Sequence, residues 1–375
     1  MHQRSTHPEA WNISEPEFPK YGSMYDKLKF FLRYAILAPS IHNSQPWAFR
    51  IQNNNTIELY GDRKRALPVV DPIGRELTIS CGTALGYLQI TISHFGYKYK
   101  TELLSAYDME KSDKQPLAKI SIYDESGSNN IDVNSLQKED NDRLFGAIPK
   151  RRTSRFRFED RIIPDILQAG FYYIVDKYPQ YQHQQKNQEQ EPIWLHITEA
   201  SKEKDALAEL VVHGNHLLLS DKHFVNELIR WARPNNSCTS KKNSVSHYAL
   251  GITNFISRIN PYSVKSFQIT KKQDEKVHEL AATSPVLAIL GSYLDRPLDW
   301  INIGIALSNI LLLASSENVC CSFLNQPIQV PQLRLKLLDT IRKEKGFPQI
   351  LLRMGYSRQD IRPTPRRDVE EILIT

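Results

Sequence analysis

Residues 38–47 read Ala-Pro-Ser-Ile-His-Asn-Ser-Gln-Pro-Trp, so Ser40, Asn43 and Gln45 present one hydroxyl and two carboxamides within a few residues. Such groups both donate and accept, and a tight turn carrying them suits a neutral heteroaromatic ring edged with carbonyls and ring nitrogens. His42, in the same turn, can donate to a ring carbonyl or a bound acceptor, or serve as a plain turn residue. Far along the chain, Arg151-Arg152-Thr153-Ser154-Arg155 packs three arginines and two hydroxyls into five residues. Guanidinium forks match phosphate oxygens and hydroxyls fill the remaining acceptors, which makes this run a dense anion site. If it opens a helix, the backbone N–H groups and the dipole add to the attraction. Taken alone, the run also fits a solvated basic patch or a nucleic-acid contact.

These residues need a scaffold. The apolar run Phe30, Phe31, Tyr34, Ala35, Ile36 and Leu37 predicts a helix over 24–38 that Pro39 ends, so the turn hangs from a helix C-terminus. Pro46-Trp47 then leads into a strand. Residues 47–51 and 56–60 alternate around Asn53-Asn54-Asn55, the pattern of a hairpin. Residues 75–94 are apolar on most faces, which predicts a helix buried between two bodies, closed by Gly96. A strand follows at 117–123, a linker at 124–142, and a helix at 135–148 that leads into the arginine run. Further helices are expected at 162–177, 201–219, 223–233 and 299–317, with strands at 193–197, 286–290 and 350–354. The Gln-rich tract 179–190 has too little apolar character to pack and reads as a surface loop. Residues 234–262 form a polar insertion carrying His247, Tyr248, Phe255 and Tyr262, either a lid over a site or a disordered excursion. Residues 1–22 are polar and read as an arm over the body.

One helix core, Gly82-Thr83-Ala84-Leu85-Gly86-Tyr87-Leu88, recurs as Gly304-Ile305-Ala306-Leu307-Ser308-Asn309-Ile310. Small and apolar residues are common in any buried helix, so this match is weak alone. Complementarity strengthens it. The first half has the polar turn without an arginine run, and the second has the run without a recognisable turn. A duplicated chain in which each copy kept one motif would build a single composite site.

A length of 375 residues allows two ordinary domains or one pseudo-dimer with a shared core. The net charge of +6 is mild, and its positive residues are scattered apart from 150–157 and Lys241-Lys242, which argues against a nucleic-acid partner. Cys81, Cys238, Cys320 and Cys321 show neither Cys-x-x-Cys spacing nor a histidine set with metal geometry, so no metal is expected. Cys320-Cys321 read as buried thiols at the end of an apolar helix, in a reducing compartment. The N-terminus lacks an apolar signal core and no window suggests a bilayer span, so the expected place is the cytoplasm, with no membrane partner. No Gly-rich dinucleotide fingerprint occurs, which favours a nucleotide cofactor held by side chains.

The turn resembles the Ala-Pro-Ser-x-x-Asn-x-Gln-Pro-Trp signature of the nitroreductase family of FMN flavoproteins. The order of the two motifs resembles that family's long, internally duplicated Acg-like branch, and the resemblance covers roughly residues 25 to 370. It implies an α+β, nitroreductase-like fold in which two fused nitroreductase-like halves form an intramolecular pseudo-dimer around central helices. The arm would occupy 1–22, the first half 23–140 and the second half 141–375, with the possible lid at 234–262. By the same resemblance, Arg151, Arg152, Thr153 and Arg155 hold the FMN phosphate and the first part of the flavin. Ser40 and Asn43 reach the isoalloxazine, with His42 and Gln45 beside them. The ring-edge segment falls at Leu324, Asn325 and Gln326, where family members often carry Pro-x-Glu-Gly; the departure weakens the transfer of a backbone contact to flavin N5. Arg366 and Arg367 match a family basic residue on the phosphate, or else form a solvated tail. The implied activity is NAD(P)H-dependent two-electron reduction of a small-molecule electron acceptor (nitroaromatic, quinone or similar). The flavin carries the chemistry at one site per chain, in a monomer or weak homodimer. The alternative is an FMN-sequestering protein whose closed lid prevents turnover.

Overall fold

The computed structural model of the chain describes residues 9–103, 115–123, 135–177, 193–233, 245–246 and 267–374. Alternation in Trp47–Gln52 and Thr56–Gly61 gives β1 and β2, paired antiparallel from Trp47 opposite Gly61 to Gln52 opposite Thr56. Their turn uses Asn53 and Asn54 at φ 49° and 57°, a left-handed geometry that asparagine tolerates better than most residues. With β3 (Lys98–Leu103) and β4 (Ala118–Tyr123) they form a four-stranded sheet in the order β1-β2-β4-β3. Around it lie α1 (Met24–Ala35), α2 (Arg75–His94) and α3 (Ser135–Ala147). A capping box starts α1: the Asp26 N–H donates to Ser23 Oγ, and the Ser23 N–H donates to the Asp26 carboxylate.

The second half holds α4 (Asp165–Lys177), β5 (Ile193–Thr198), α5 (Ser201–Ser220) and α6 (Lys222–Trp231). A two-residue parallel pair, β6 (Ala232–Arg233) and β7 (Val245–Ser246), precedes α7 (Phe267–Ala282). Then come β8 (Val286–Ser292), α8 (Pro297–Ser316), β9 (Cys320–Phe323), α9 (Gln326–Gln329), α10 (Pro331–Thr340), β10 (Phe347–Gly355) and α11 (Val369–Ile372). The sheet order is β5-β8-β10-β9, again all antiparallel. Both sheets therefore share one plan: two strands, a central helix, two strands, with the last strand third in spatial order. Where the first half joins its first two strands by a tight turn, the second inserts α5, α6 and α7. The α+β class and the two similar halves agree with the sequence reading. Most of 234–262, the tract 179–190 and residues 124–134 lie outside the described residues.

The two central helices meet at the recurrent glycines. A Cβ on Gly82 would lie 2.3 Å from the Ile301 carbonyl oxygen, and one on Gly304 would lie 2.2 Å from that of Ile79. Only the absence of side chains lets these backbones touch. One expectation needs correcting here. α8 is long and apolar enough to cross a membrane, but 78% of its apolar window is buried, so its hydrophobicity is accounted for by packing between the halves. A second correction concerns Cys320 and Cys321, which belong to strand β9 and not to a helix end.

Candidate functional site

Three non-glycine residues of the signature turn, His42, Asn43 and Gln45, have φ of 46°, 52° and 49°. Left-handed backbone at such residues costs on the order of 1 kcal/mol or more each and persists where surrounding structure over-determines it. The C-terminal tail does this. Arg366 donates from Nη1 to Asn43 Oδ1 (2.8 Å) and from Nη2 to the Leu37 carbonyl (3.2 Å), while Asn43 Nδ2 donates to the Pro365 carbonyl (3.0 Å). The Arg367 N–H donates to Gln45 Oε1 (2.7 Å), and its Nη1 to the Gln45 carbonyl (3.3 Å). Ser40 Oγ closes the turn by accepting from the Gln45 N–H at 2.9 Å. Arg366 and Arg367 are only 3% and 8% exposed, which removes the solvated-tail alternative. The carboxamides of Asn43 and Gln45 thus face the tail, while Ser40 and His42 keep some surface exposed, although protein crowds the His42 ring closely enough to desolvate it.

The arginine run does not open a helix, so no helix N-terminus adds to its attraction. It leaves the C-terminus of α3, where the Arg151 N–H donates to the Ala147 carbonyl at 2.9 Å, and runs along the edge of β9. There Thr153 forms a bridge with Cys321. Arg353 fixes the segment from beneath. Only 1% exposed, it donates to the carbonyls of Phe156 (3.0 Å) and Ser154 (2.9 Å). Arg151, Arg155 and Arg353 make no ion pair with an acidic side chain among the described residues. Burial pushes both Arg155 and Arg353 down to about 10, with Arg155 also repelling Arg353. Concentrated positive charge without acid partners is the electrostatic setting of a bound anion.

The two motifs meet. Burial first, and the nearby Arg155 charge second, hold the His42 imidazole down at about 4, so it is neutral at physiological pH. Arg152 and Arg366 lie 4.5 Å and 4.9 Å from the centre of the same Trp11 ring, whose Nε1 donates to the Thr364 carbonyl at 2.8 Å. Tyr87 of α2 is fully buried nearby; burial raises its phenol while Arg151 and Arg366 pull the other way. Residues from the turn, the run and the tail are therefore one neighbourhood.

The ring-edge segment divides. Leu324 lies in the core of the second half, and its N–H donates to the Leu351 carbonyl at 2.8 Å. Asn325 Oδ1 accepts from the Leu351 N–H at 3.0 Å. The Gln326 side-chain oxygen is buried with no hydrogen-bond partner among the described residues, and so is Arg151 Nε. Each is a buried polar atom that a ligand could satisfy, the Gln326 oxygen by an N–H and the Arg151 guanidinium by an anion.

Sequence reasoning missed a buried charged hub under the turn. The Ile41 N–H donates to Ser80 Oγ (3.5 Å), which donates to the Glu76 carbonyl (2.7 Å). Arg75 Nη2 donates to Glu76 Oε1 at 2.8 Å, and Gln329 of α9 donates to both Glu76 oxygens at 3.2 Å. Burial drives Glu76 up to about 7 and raises Asp71. Asp295, despite burial working against it, is held at about 2 by Arg334. Adjacent Arg75-Glu76 opening an otherwise apolar helix was the available signal.

No family model matches the chain. It is 25% identical over 382 residues to the putative NAD(P)H nitroreductase Rv3131 of Mycobacterium tuberculosis, covering 98% of this chain and 94% of that one. It is 23% identical over 355 residues to the probable NAD(P)H nitroreductase PigM of a Serratia species, covering 92% of each. The FMN and NADPH-dependent nitroreductase NfnB of a sphigopyxis species superposes with a TM-score of 0.42 at 14% identity, covering 62% of this chain and 98% of that one. At the level of sequence the chain is thus distantly homologous to bacterial proteins named as nitroreductases.

Proposed function

We propose that this chain is an FMN-dependent oxidoreductase of nitroreductase type, with one composite flavin site that uses NAD(P)H to reduce nitroaromatic, quinone or similar acceptors. The observation that carries this reading is the arginine group Arg151, Arg155 and Arg353, without an acid partner among the described residues, beside the His42 turn of the other half. Bound there, FMN would supply hydride acceptance and two-electron transfer. Arg151, Arg152, Thr153 and Arg155 would hold the phosphate and ribityl chain through charge-assisted bonds. Ser40 and neutral His42 would face the polar ring edge, and Gln326 would accept from a ligand N–H. Positive charge at Arg155 would favour electron-rich forms of the ligand in a low-dielectric site. Asn43, Gln45, Arg366 and Arg367 would fix the turn, and Leu324 and Asn325 would anchor the ring-edge segment on β10. The distant relatives named as NAD(P)H nitroreductases support the same class.

The test is optical. Purified protein should be yellow, contain one flavin per chain, bleach with NADPH under argon and recover its colour with a quinone or nitroaromatic. Colourless protein that takes up no added FMN ends the proposal. Flavin that stays oxidised under NADPH favours the sequestering alternative, which the tethering of Asn325 to Leu351 in place of a family Glu-Gly already gives some weight.

A further inference from the structure

Next to the signature turn lies a cavity of about 520 Å³ between the loop after β2 and helix α6. Its walls include Lys64, Arg65, His223, Asn226, Arg230 and Trp231. Two contacts tie it to the turn: Arg65 Nε donates to the Ser44 carbonyl, and Ile41 packs in one apolar cluster with Phe224 and Trp231. The charge on its walls is lopsided. The side chains of Lys64, His223 and Arg230 make no ion pair or hydrogen bond among the described residues. The acid that lines it, Glu227, is buried and directs both oxygens to backbone, accepting from the Val69 and Val70 N–H groups at 3.0 Å each. Arg65 stacks 5.2 Å from the Trp231 ring centre and covers one face of that indole, the aromatic element of the wall.

A cavity of this volume lies within the usual range for small-ligand sites. Lys64 and Arg230, cations without an acid partner among the described residues, suit an anion, the indole a flat ring, and the Asn226 amide a partner that both donates and accepts. A purine nucleoside phosphate carries all three. We infer that this cavity binds the adenosine-phosphate arm of the dinucleotide electron donor, a subsite that rests on the oxidoreductase reading above. Lys64 and Arg230 take the phosphate, and Trp231 and Asn226 the base. The nicotinamide end is then left free to reach toward the turn that Arg65 contacts.

The probe is 2′,5′-ADP, which has no nicotinamide, titrated calorimetrically into the full chain beside adenosine and inorganic pyrophosphate. Binding of one 2′,5′-ADP per chain, about tenfold or more tighter than either fragment, is expected. The exposed double variant Lys64→Ala/Arg230→Ala should weaken it by at least about tenfold, with circular dichroism and flavin content unchanged. The single charge reversal Arg230→Glu should weaken it further than Arg230→Ala. Unchanged affinity in the double variant overturns the assignment, and so does pyrophosphate binding as tightly as 2′,5′-ADP, which would mark a bare anion site. The two readings fail separately. A colourless protein that binds 2′,5′-ADP through these residues keeps the nucleotide cavity and loses the flavin. A flavoprotein bleached by NADPH that ignores 2′,5′-ADP loses the cavity alone.

Discussion

Arg366 donates to the side-chain oxygen of Asn43 at 2.8 Å across 323 positions of sequence, with both residues buried. This bond joins the end of the second half to the turn of the first. The same guanidinium also reaches the Leu37 carbonyl and Thr364, so removing it leaves several acceptors in low dielectric without a donor. Arg366→Ala should destabilise the protein by about 2–3 kcal/mol, the scale of a lost charged hydrogen bond with a stranded buried partner. Arg366→Lys should recover little, because one ammonium cannot span the fork. Urea unfolding measures both, and a loss below about 0.5 kcal/mol for Arg366→Ala would mean that the tail does not hold the turn.

The neighbourhood of His42 and Arg155 can be read by titration. Burial and the Arg155 charge hold the folded imidazole at about 4, below its ordinary 6.5. Between those values the unfolded chain binds more protons, so this group makes stability rise with pH across that window. Arg155→Ala should move the His42 pKa upward toward its ordinary value, followed by the ring proton shifts in NMR. An unmoved titration would separate the turn from the arginine run and remove the basis of the composite site.

Much of this architecture is legible in the sequence, and the parts that are not share a cause. The β1–β2 hairpin and helix α2 follow directly from alternation around three asparagines and from an apolar helix bounded by Gly96. Strand β3 does not, because Lys98, Lys100 and Glu102 interrupt its apolar pattern; it lies at the sheet edge, where charge is tolerated and discourages further pairing. Strand β9 is likewise an edge, short enough for Cys320-Cys321 to pass as the end of the preceding helix. At the site, complementarity of the two motifs anticipates that the turn and the run share a neighbourhood. The roles of Trp11 and Tyr87 are invisible in sequence, since each depends on which distant groups surround a buried polar or aromatic side chain; the Arg75-Glu76 pair signals charge within α2 but not the partners that gather around it.

Gly304 tests the contact between the halves. An added Cβ would meet backbone, 2.2 Å from the Ile79 carbonyl oxygen and 2.7 Å from Gly82 Cα, and backbone cannot swing aside as a side chain tip can. Gly304→Ala should therefore destabilise by about 3 kcal/mol, against the small gain that alanine brings to a helix without such a contact. Thermal unfolding would show a lower midpoint. A raised midpoint would mean the helices are farther apart than this packing requires.

Flavin retention should follow the arginines. Arg152 bonds the Pro149 carbonyl at 2.8 Å and lies against Trp11, so its guanidinium is held in place where the run meets the tail. Arg152→Ala should weaken FMN binding by about 2–3 kcal/mol, as for a lost charge-assisted contact. Asn43→Ala should weaken it less and shift the flavin spectrum by loosening the turn. Equilibrium dialysis and absorbance follow both variants, and full flavin with an unaltered spectrum in each would refute the proposed binding set.

Glu76 supplies the opposite pH dependence to His42. Arg75 and Arg334 bring two positive charges to a buried hub that holds three carboxyls, Asp71, Glu76 and Asp295. With Asp295 held ionised by Arg334, the hub balances when one of the other two keeps a proton, and burial drives Glu76 up to about 7 from its ordinary 4.5. A carboxyl raised on folding binds its proton more tightly in the native state. Its contribution is complete below 4.5 and is lost as pH rises through about 7. Glu76→Gln resembles the protonated side chain at every pH and should remove that decline while keeping the His42 rise. The urea midpoints of wild type and Glu76→Gln should therefore converge below the ordinary carboxyl range and separate above neutrality, with the variant more stable. Parallel profiles would place the shared proton on Asp71 instead.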